Sequence, residues 1–383
     1  MVRKNRQGGG GSLIASARCE GKCMLTKDVA SLAPTVTLES EFDPRANALN
    51  AIRLILASGV ILWHAGQLSG RVVGLWPAHQ LGEQIFVDGF FAISGFLIAR
   101  AWMRDPTWWR FLAARGLRIY PAFWACLAVI AFVIAPIANG RSSGQAPWST
   151  VTTANLGYVT HNFTLVMNQH DIGGTPVGVP FPGVWDGSLW SLAWEFACYL
   201  GILALGVLGL LRRAYAVVGL YVVVVLASIV YVGGPTGTIA LRLATMFLAG
   251  TLVYLARRHI PATWWMVAVA WVVVLAAMFL PDYRVVAAIP LAIALLVTGA
   301  KVRHRRLRLE DDVSYGVYVY GWPVQQTLMT FGAGAWSVAL FGLISVLATL
   351  PLAVASWFLL EKRVMRLRPR RPSRESIPAT SGD

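Results

Sequence analysis

Cysteine is scarce in this sequence, with four residues among 383. Cys126 and Cys198 lie inside apolar segments, where a thiol packs like a small hydrophobic side chain. Cys19 and Cys23 lie in a polar segment and lack the second Cys/His pair that a zinc site requires. The sequence therefore predicts no structural disulfide and no metal site.

Charged residues are also few, because Asp, Glu, Lys and Arg make up 13% of the chain, against about 25% in a typical soluble domain. Hydrophobic residues account for 56%, and 16 Trp and 36 Gly accompany them. Trp concentrates at membrane–water interfaces, and Gly lets transmembrane helices pack closely. This composition excludes an ordinary soluble protein and indicates a polytopic membrane protein.

Both ends of the chain lack long apolar runs. Residues 1–44 are rich in Gly, Ser and basic residues, without the apolar core of a signal peptide. We expect a disordered basic tail in the cytoplasm, or an over-long start with Met24 as the alternative beginning. Residues 369–383 predict a second disordered cytoplasmic tail, which leaves 45–368 as the membrane domain.

Between these tails lie apolar runs of the length that crosses a bilayer as a helix. They predict an all-α, polytopic integral membrane protein with about ten transmembrane helices and both termini in the cytoplasm. The connections are short except 139–187, a Gly/Pro-rich polar segment in which we expect short interfacial pieces. The predicted spans are 49–67, 84–102, 119–138, 188–211, 214–232, 238–256, 263–280, 284–300, 313–331 and 336–360.

The distribution of basic residues supports this topology. If the N-terminus lies in the cytoplasm, only Arg71, Arg141 and Arg284 of the 33 Lys and Arg residues fall in outer loops. Arg53 and Arg242 lie inside spans, and all the others fall on the cytoplasmic side. An excess of Lys and Arg in cytoplasmic loops is typical of membrane proteins. Topology thus explains the net charge of +15, which is not evidence for nucleic-acid binding.

The first span carries Arg53 and His64, eleven residues apart. At 100° and 1.5 Å per residue, the two side chains share one helix face and lie about 16 Å apart along the axis. Ionisable side chains at membrane depth are functional candidates, and an imidazole in a wet cavity can take a hydroxyl proton. The structural alternatives are a snorkelling anchor for Arg53 and a helix-packing hydrogen bond for His64.

Two acidic residues also fall inside spans. Asp88, in the second span, is interpreted as an orienter of His64 or a contact to a polar acceptor, with close packing through neighbouring glycines as the structural alternative. Glu195, in the fourth span, requires a partner, a proton or a wet cavity. An ion pair with Arg242 is its structural alternative.

A basic segment at 101–121 follows the second span. Arg115 and Arg118 are three residues apart and therefore neighbours on a helix. Because guanidinium groups bind phosphates bidentately, these two residues, with Arg53 as a third, predict a site for a cytoplasmic polyphosphate cofactor. Binding of lipid headgroups is the alternative.

The ninth span is unusually polar for a transmembrane helix. Its proline frees a backbone carbonyl and bends the helix. Such a segment is expected to line a cavity, because lipid cannot satisfy its polar groups. The residues concerned are Tyr315, Tyr318, Tyr320, Pro323, Gln325 and Gln326.

These segments resemble, in order, six motifs of the bacterial membrane acyltransferase-3 family of O-acyltransferases. The resemblance covers about 45–368, with one departure: Gly321 stands where many members have His, so no role of a second histidine is carried over. The matching segments are Arg53 and His64 (Arg/Lys-x10-His), 87–96 (VD-x-FF-x-x-SGF), 115–121 (R-x-x-R-I-x-P), 190–195 (WSL-x-x-E), Arg242 with Phe247 and Gly250, and 356–362 (SWF followed by EK).

The resemblance implies transfer of an acyl group from cytoplasmic acyl-CoA to a hydroxyl of a glycan, glycolipid or other small acceptor. The protein would lie in the bacterial inner (plasma) membrane and modify envelope polysaccharide, for example by O-acetylation. No nucleophilic Ser or Cys is evident, so direct transfer is expected, with an acyl-His intermediate as the alternative. The implied site residues are His64 as general base, Asp88 or Glu195 as its orienter, and Arg53, Arg115 and Arg118 on the donor phosphates.

A secondary transporter or flippase is the competing class, because many spans, intramembrane charges and a proline-broken helix also suit one. A membrane anchor or scaffold is a third class, and it leaves the intramembrane ionisable residues unexplained. Consumption of acyl-CoA discriminates between these classes.

Overall fold

The computed structural model describes residues 36–71 and 76–369, and its helices and turns include no β-strand within those ranges. Apolar runs of this length fold as helices because a helix satisfies its backbone hydrogen bonds within its own segment. The all-α prediction is confirmed. The helices are α1 (Leu38–Glu41), α2 (Leu49–Leu68), α3 (Ala78–Arg104), α4 (Trp108–Val129), α5 (Ala135–Ser143), α6 (Thr153–His161), α7 (Trp190–Val207), α8 (Ala214–Val230), α9 (Pro235–Ala256), α10 (Trp264–Ala277), α11 (Arg284–Lys301), α12 (Ser314–Thr330), α13 (Val338–Ser356) and α14 (Lys362–Met365).

Two pairs of helices are continuous, since π-helical turns at Ile130–Ile134 and Trp357–Glu361 join α4 to α5 and α13 to α14. Long helices then coincide with all ten predicted spans. Seven of them are long and apolar enough to cross a membrane. Helices α8 and α10 are shorter apolar helices, and α12 is the polar one. The chain is a multi-pass membrane protein, and the number of crossings stays a prediction.

The expected basic loop at 101–121 is mostly helical. Helix α3 ends at Arg104, and α4 begins at Trp108. Only three residues separate the two helices, and Pro106 among them has no N–H to continue α3. Arg115 and Arg118 therefore lie on the first turns of α4, which fixes their direction more firmly than a loop would.

The expected disordered tail at 1–44 is wrong for its last nine residues, which the structure describes. Leu38 is completely buried, and Thr37 caps α1 in a capping box. Glu39 contacts Arg257 at 3.0 Å and Arg258 at 2.7 Å. Apolar burial and ion pairs to the end of α9 hold this segment against the membrane domain. The remainder of that tail, including Cys19 and Cys23, and the predicted tail after residue 369 lie outside the described residues.

Helix α12 lies at the centre of the bundle. Most of its residues are buried, including Gln325 and Gln326, which are both 0% exposed. The Gln325 amide N–H donates to the Ile61 carbonyl oxygen on α2 at 2.9 Å, so this donor has a partner inside the protein, whereas the amide oxygens of Gln325 and Gln326 have none among the described residues. Tyr315 and Tyr318 line internal cavities, which confirms the prediction that this helix faces cavities and not lipid.

The segment 139–187 closes one end of the bundle. It contains the end of α5, a 3-10 turn at Pro147–Thr150 and α6, as expected for short interfacial pieces. Its last part, which carries no helix or strand, is tied to α12. Gln326 donates to the carbonyl oxygens of Phe181 at 2.7 Å and Val184 at 2.8 Å. These bonds position the residues that immediately precede α7.

Helices α3 and α9 cross with their backbones in contact. A Cβ added to Gly250 would lie 1.9 Å from the Ala92 carbonyl oxygen, and one added to Gly95 would lie 1.9 Å from the Phe247 carbonyl oxygen. Small residues permit such close approach in membrane helices. The close packing through glycines that was the structural alternative for the second span is thus present at Gly95.

Replacing Gly250 by alanine is expected to lower the free energy of unfolding by about 1–3 kcal/mol, because the new methyl group meets backbone that cannot move aside. Thermal unfolding in detergent measures the effect. The matched control is Gly201→Ala on α7, where a Cβ meets nothing within 4 Å. That variant should be as stable as the wild type or slightly more stable. Equal melting temperatures for all three proteins would contradict the crossing.

Candidate active site

His64 lines a cavity of about 370 Å³ near the end of α2. Its ring packs edge-on against Trp322 of α12, with the centroids 4.7 Å apart. Cavities of this size are typical of small-molecule sites. The other polar, charged and aromatic lining residues are Trp63, Gln67, Glu83, His170, Phe181, Asp186, Ser188, Trp190, Arg242 and Tyr318.

A second, smaller cavity of about 30 Å³ lies beside the first. Val87 and Tyr318 line both, so the two cavities share a wall. Arg53 and Glu195 line the smaller one. Arg53 and His64, which were predicted to share one face of α2, therefore each line one of the two adjoining cavities.

Arg53 and Arg118 meet at Asp312, in the connection before α12. Asp312 contacts Arg53, and it contacts Arg118 at 2.6 Å. Arg118 also contacts Glu361 at 3.2 Å. Burial opposes ionisation of Asp312, but the two guanidinium groups hold the pKa of that carboxyl below its ordinary value. The pair of arginines predicted from sequence is thus fixed in place by an acidic residue that sequence reasoning missed.

Arg115 differs from these two arginines. No carboxylate lies within ion-pair distance of it among the residues that the structure describes, and its buried Nε has no hydrogen-bond partner there. Its guanidinium lies 6.0 Å from the centroid of the Tyr199 ring, close enough for a cation–π contact. Of the three predicted phosphate ligands, Arg115 is the one for which the described part of the chain provides no negative partner.

Glu195 accepts hydrogen bonds from the Ser94 hydroxyl at 3.0 Å and from the Tyr199 hydroxyl. The alternative that it pairs with Arg242 is wrong, because Arg242 contacts Asp88 at 3.1 Å. Ser94 belongs to the neighbouring helix α3, and Tyr199 lies one turn after Glu195 on α7. Glu195 is therefore part of the small cavity beside Arg53.

Asp88 is completely buried and has three partners, none of which is His64. It contacts Arg242 at 3.1 Å and Arg284 at 2.6 Å, and it accepts a hydrogen bond from the Tyr283 hydroxyl. Asp88 does not line the His64 cavity, whereas Arg242 does. Arg284, which we expected in an outer loop, is the first residue of α11 and is only 5% exposed. Its ion pair with Asp88 compensates the burial of its charge.

Two titratable residues of the 139–187 segment enter the site without having been predicted. His170 and Asp186 both line the His64 cavity. His170 is exposed, and Asp186 is 1% exposed. The only sequence signal for Asp186 was an Asp-Gly turn directly before the tryptophan-rich start of α7. No periodicity reports which loop residues fold back over a helix bundle.

The chain is similar to known proteins along most of its length. The family model for acyltransferase 3, described as an acyltransferase domain, matches residues 46–358. An O-acetyl transferase of Shigella phage Sf6 is 28% identical over 346 residues, which cover 84% of this chain and 96% of the phage protein. Nodulation protein 10 of Rhizobium leguminosarum bv. viciae is 26% identical over 355 residues, covering 84% and 94%. No solved structure matches the chain significantly.

Proposed function

This chain belongs to the acyltransferase-3 family and is a membrane acyltransferase, and we propose that it transfers an acyl group from acyl-CoA to a hydroxyl of a glycan, glycolipid or similar acceptor. The observation that carries the proposal is the pair of adjoining cavities. The smaller one begins at the arginine cluster, and the larger one contains His64. In this proposal, the thioester arm of the donor and the hydroxyl of the acceptor meet where these two spaces join.

The arginine cluster is the proposed donor end. Arg53 and Arg118 share Asp312, which holds both guanidinium groups in one orientation. Arg115 adds a positive charge that no described carboxylate neutralises. Guanidinium groups bind phosphate oxygens strongly through charge-assisted hydrogen bonds, and acyl-CoA carries several phosphates. We therefore assign Arg53, Arg115 and Arg118 to the donor phosphates, with Arg115 as the strongest contributor.

The larger cavity is the proposed acceptor site. Trp63, Trp190 and Trp322 supply flat apolar surfaces, and Gln67 and Glu83 supply hydrogen-bonding groups. This mixture suits a sugar or another polyol, whose rings have apolar faces and polar edges. It also leaves space beside His64 for one hydroxyl of the acceptor.

His64 is the proposed general base. The imidazole takes the proton of the acceptor hydroxyl while that oxygen attacks the thioester carbonyl carbon. The carbon–sulfur bond then breaks, and the departing CoA thiolate takes the proton back from the imidazolium. Transfer is proposed to be direct, and Ser188 in the cavity wall is not assigned as a nucleophile because its one hydroxyl hydrogen is engaged by Asp186 at 2.7 Å.

Asp88 and Glu195 are proposed to act through neighbouring side chains and not directly on His64. Asp88 holds Arg242, which lines the acceptor cavity. Glu195 holds Tyr199, whose ring lies against Arg115. Both carboxylates thus support cationic groups at the two ends of the site.

The proposed setting is a bacterial inner membrane, with both termini and the arginine cluster on the cytoplasmic side. The excess of Lys and Arg in the predicted cytoplasmic loops, which alternate along the chain with the predicted outer loops, supports this orientation. It places the donor end where cytoplasmic acyl-CoA is available, and the His64 cavity toward the outside.

The function is tested by acyl-CoA consumption in lipid nanodiscs, measured as release of the free CoA thiol together with ester formation on a panel of saccharides. Replacing Arg115 by alanine should raise the KM for acyl-CoA about 10- to 100-fold, the cost of losing one or two charge-assisted hydrogen bonds. The effect should shrink at high salt.

Arg213→Ala is the matched control, because Arg213 is an exposed arginine on the same predicted side of the membrane. Its KM should equal that of the wild type. An unchanged KM for Arg115→Ala would remove Arg115 from the donor site. If the wild type neither binds nor consumes acyl-CoA, the acyl-CoA proposal fails.

A further inference from the structure

A buried carboxyl group in the wall of the His64 cavity has no positive partner among the residues that the structure describes. Asp186 is 1% exposed and lines that cavity. The other buried acidic residues of the described chain, Asp88, Asp312 and Glu361, each contact an arginine at ion-pair distance. An ionised carboxylate without a cation is costly in such surroundings. The protein therefore favours the neutral form of this one acid.

The hydrogen bonds of Asp186 show which oxygen would carry the proton. Its Oδ1 accepts from the backbone N–H and from the hydroxyl of Ser188, both at 2.7 Å. Its Oδ2 has no hydrogen-bond partner among the described residues. A neutral carboxyl group has one O–H donor. Because Oδ1 already accepts twice, the proton belongs on Oδ2, a buried atom for which the described residues provide no acceptor.

The titratable surroundings agree. Burial raises the pKa of Asp186 to about 7, although the hydrogen bonds from Ser188 oppose the shift. Arg242 on the cavity wall is paired with Asp88, and the Tyr158 hydroxyl of α6 stays neutral because burial raises its pKa. None of the described side chains forms an ion pair with Asp186. The other titratable groups on the adjoining elements are His64 of α2, Glu83 of α3, Cys126 of α4, His170 of the 139–187 segment and Tyr318 of α12.

Asp186 is also held in a fixed position. The Tyr318 hydroxyl donates to the Ser188 carbonyl oxygen at 2.8 Å, and Gln326 binds the Val184 carbonyl oxygen. Helix α12 thus fixes the segment on both sides of the carboxyl group. A donor held in place before the reaction is more effective than one that must reorient.

We propose that Asp186 is a neutral carboxylic acid that donates a hydrogen bond from Oδ2 to the thioester carbonyl oxygen as that oxygen becomes an oxyanion. This inference rests on the transfer reaction proposed above. No proton leaves Asp186 in this step, so its protonation state is the same before and after transfer. A neutral acid in a dry site stabilises developing negative charge strongly.

Two substitutions of Asp186 separate this role from that of an ionised carboxylate. Asparagine keeps an acceptor oxygen for Ser188 and places an N–H donor where Oδ2 stands, so Asp186→Asn should retain activity within about tenfold. Asp186→Ala removes the donor and should lower kcat about 10²- to 10³-fold with little change in the KM for acyl-CoA. As the pH rises through about 7, wild-type activity should fall because Oδ2 loses its proton, and the asparagine variant should not share this decline.

A measurement without substrate tests the protonation state by itself. The folded-state pKa of Asp186 is raised above its ordinary 3.8, so the stability it contributes is present at low pH and is lost as the pH rises toward about 7. The melting temperature of the wild type should therefore fall relative to Asp186→Asn across that range. Tyr158→Phe is the control and should reproduce the wild-type trends.

Two results would overturn the inference: an asparagine variant as inactive as the alanine variant, or a melting-temperature difference that does not change with pH. Either would mean that Asp186 works as an ionised carboxylate. If the wild type transfers no acyl group, the proposed function fails separately, and the melting temperatures still decide whether Asp186 is neutral.

Discussion

Replacing His64 by alanine is expected to lower acyl transfer about 10²- to 10⁴-fold, the usual contribution of a positioned general base. The loss should appear in kcat, because the imidazole acts on the proton that moves during attack and not on the phosphates of the donor. The side chain is half-buried against Trp322 and makes no hydrogen bond within the described residues. Its removal should therefore leave the fold intact, which expression level and melting temperature would show.

His170→Ala is the matched control, since His170 lines the same cavity but is exposed. It should retain transfer within a few-fold of the wild type. The reverse result, an inactive His170 variant beside an active His64 variant, would assign the base to the 139–187 segment. Assays with acetyl-CoA and with longer acyl-CoAs, each following thiol release and ester formation, would check both variants.

Replacing Asp88 by asparagine is expected to lower the free energy of unfolding by about 3–5 kcal/mol, because it leaves the Arg242 guanidinium without a counter-charge and Arg284 with only the partly exposed Asp282. Asp88 is completely buried between Arg242 and Arg284. Asparagine has nearly the same shape, so the loss measures charge and not packing. Thermal unfolding in detergent would register it, and transfer should fall as well because Arg242 lines the acceptor cavity.

Asp282→Asn provides the comparison. Asp282 contacts Arg284 at 2.9 Å, but its side chain is 35% exposed, and an ion pair open to water contributes less than about 1 kcal/mol. A stable Asp88→Asn protein that has lost kcat alone would favour the other interpretation, in which Asp88 orients His64 directly.

The sequence was sufficient to predict the helices and the relation between Arg53 and His64. Membrane helices depend on local apolar length, so the ten predicted spans coincide with long helices even where tertiary packing is unknown. The relation between Arg53 and His64 is equally local, because eleven residues on one helix fix their common face. The six motifs identify the family for the same reason, since each is a short contiguous pattern.

The ion pairs between different helices could not be predicted in this way. Arg242 was expected beside Glu195 and instead contacts Asp88, and Asp312 joins Arg53 to Arg118 across large separations in the chain. Charge pairing depends on which helices are neighbours, and a single sequence does not contain that order.

What the sequence by itself determined, then, is everything set by residues close together in the chain: an all-α membrane protein and a helix face that carries Arg53 and His64. Only the tertiary structure decided that two cavities adjoin at Tyr318, that Arg115 lacks a described carboxylate partner, and that Asp186 lies buried beside His64 without a cation. The physical reason is that helix formation is governed by local hydrogen bonds and apolar length, whereas cavities and ion pairs arise from packing between elements far apart in the chain.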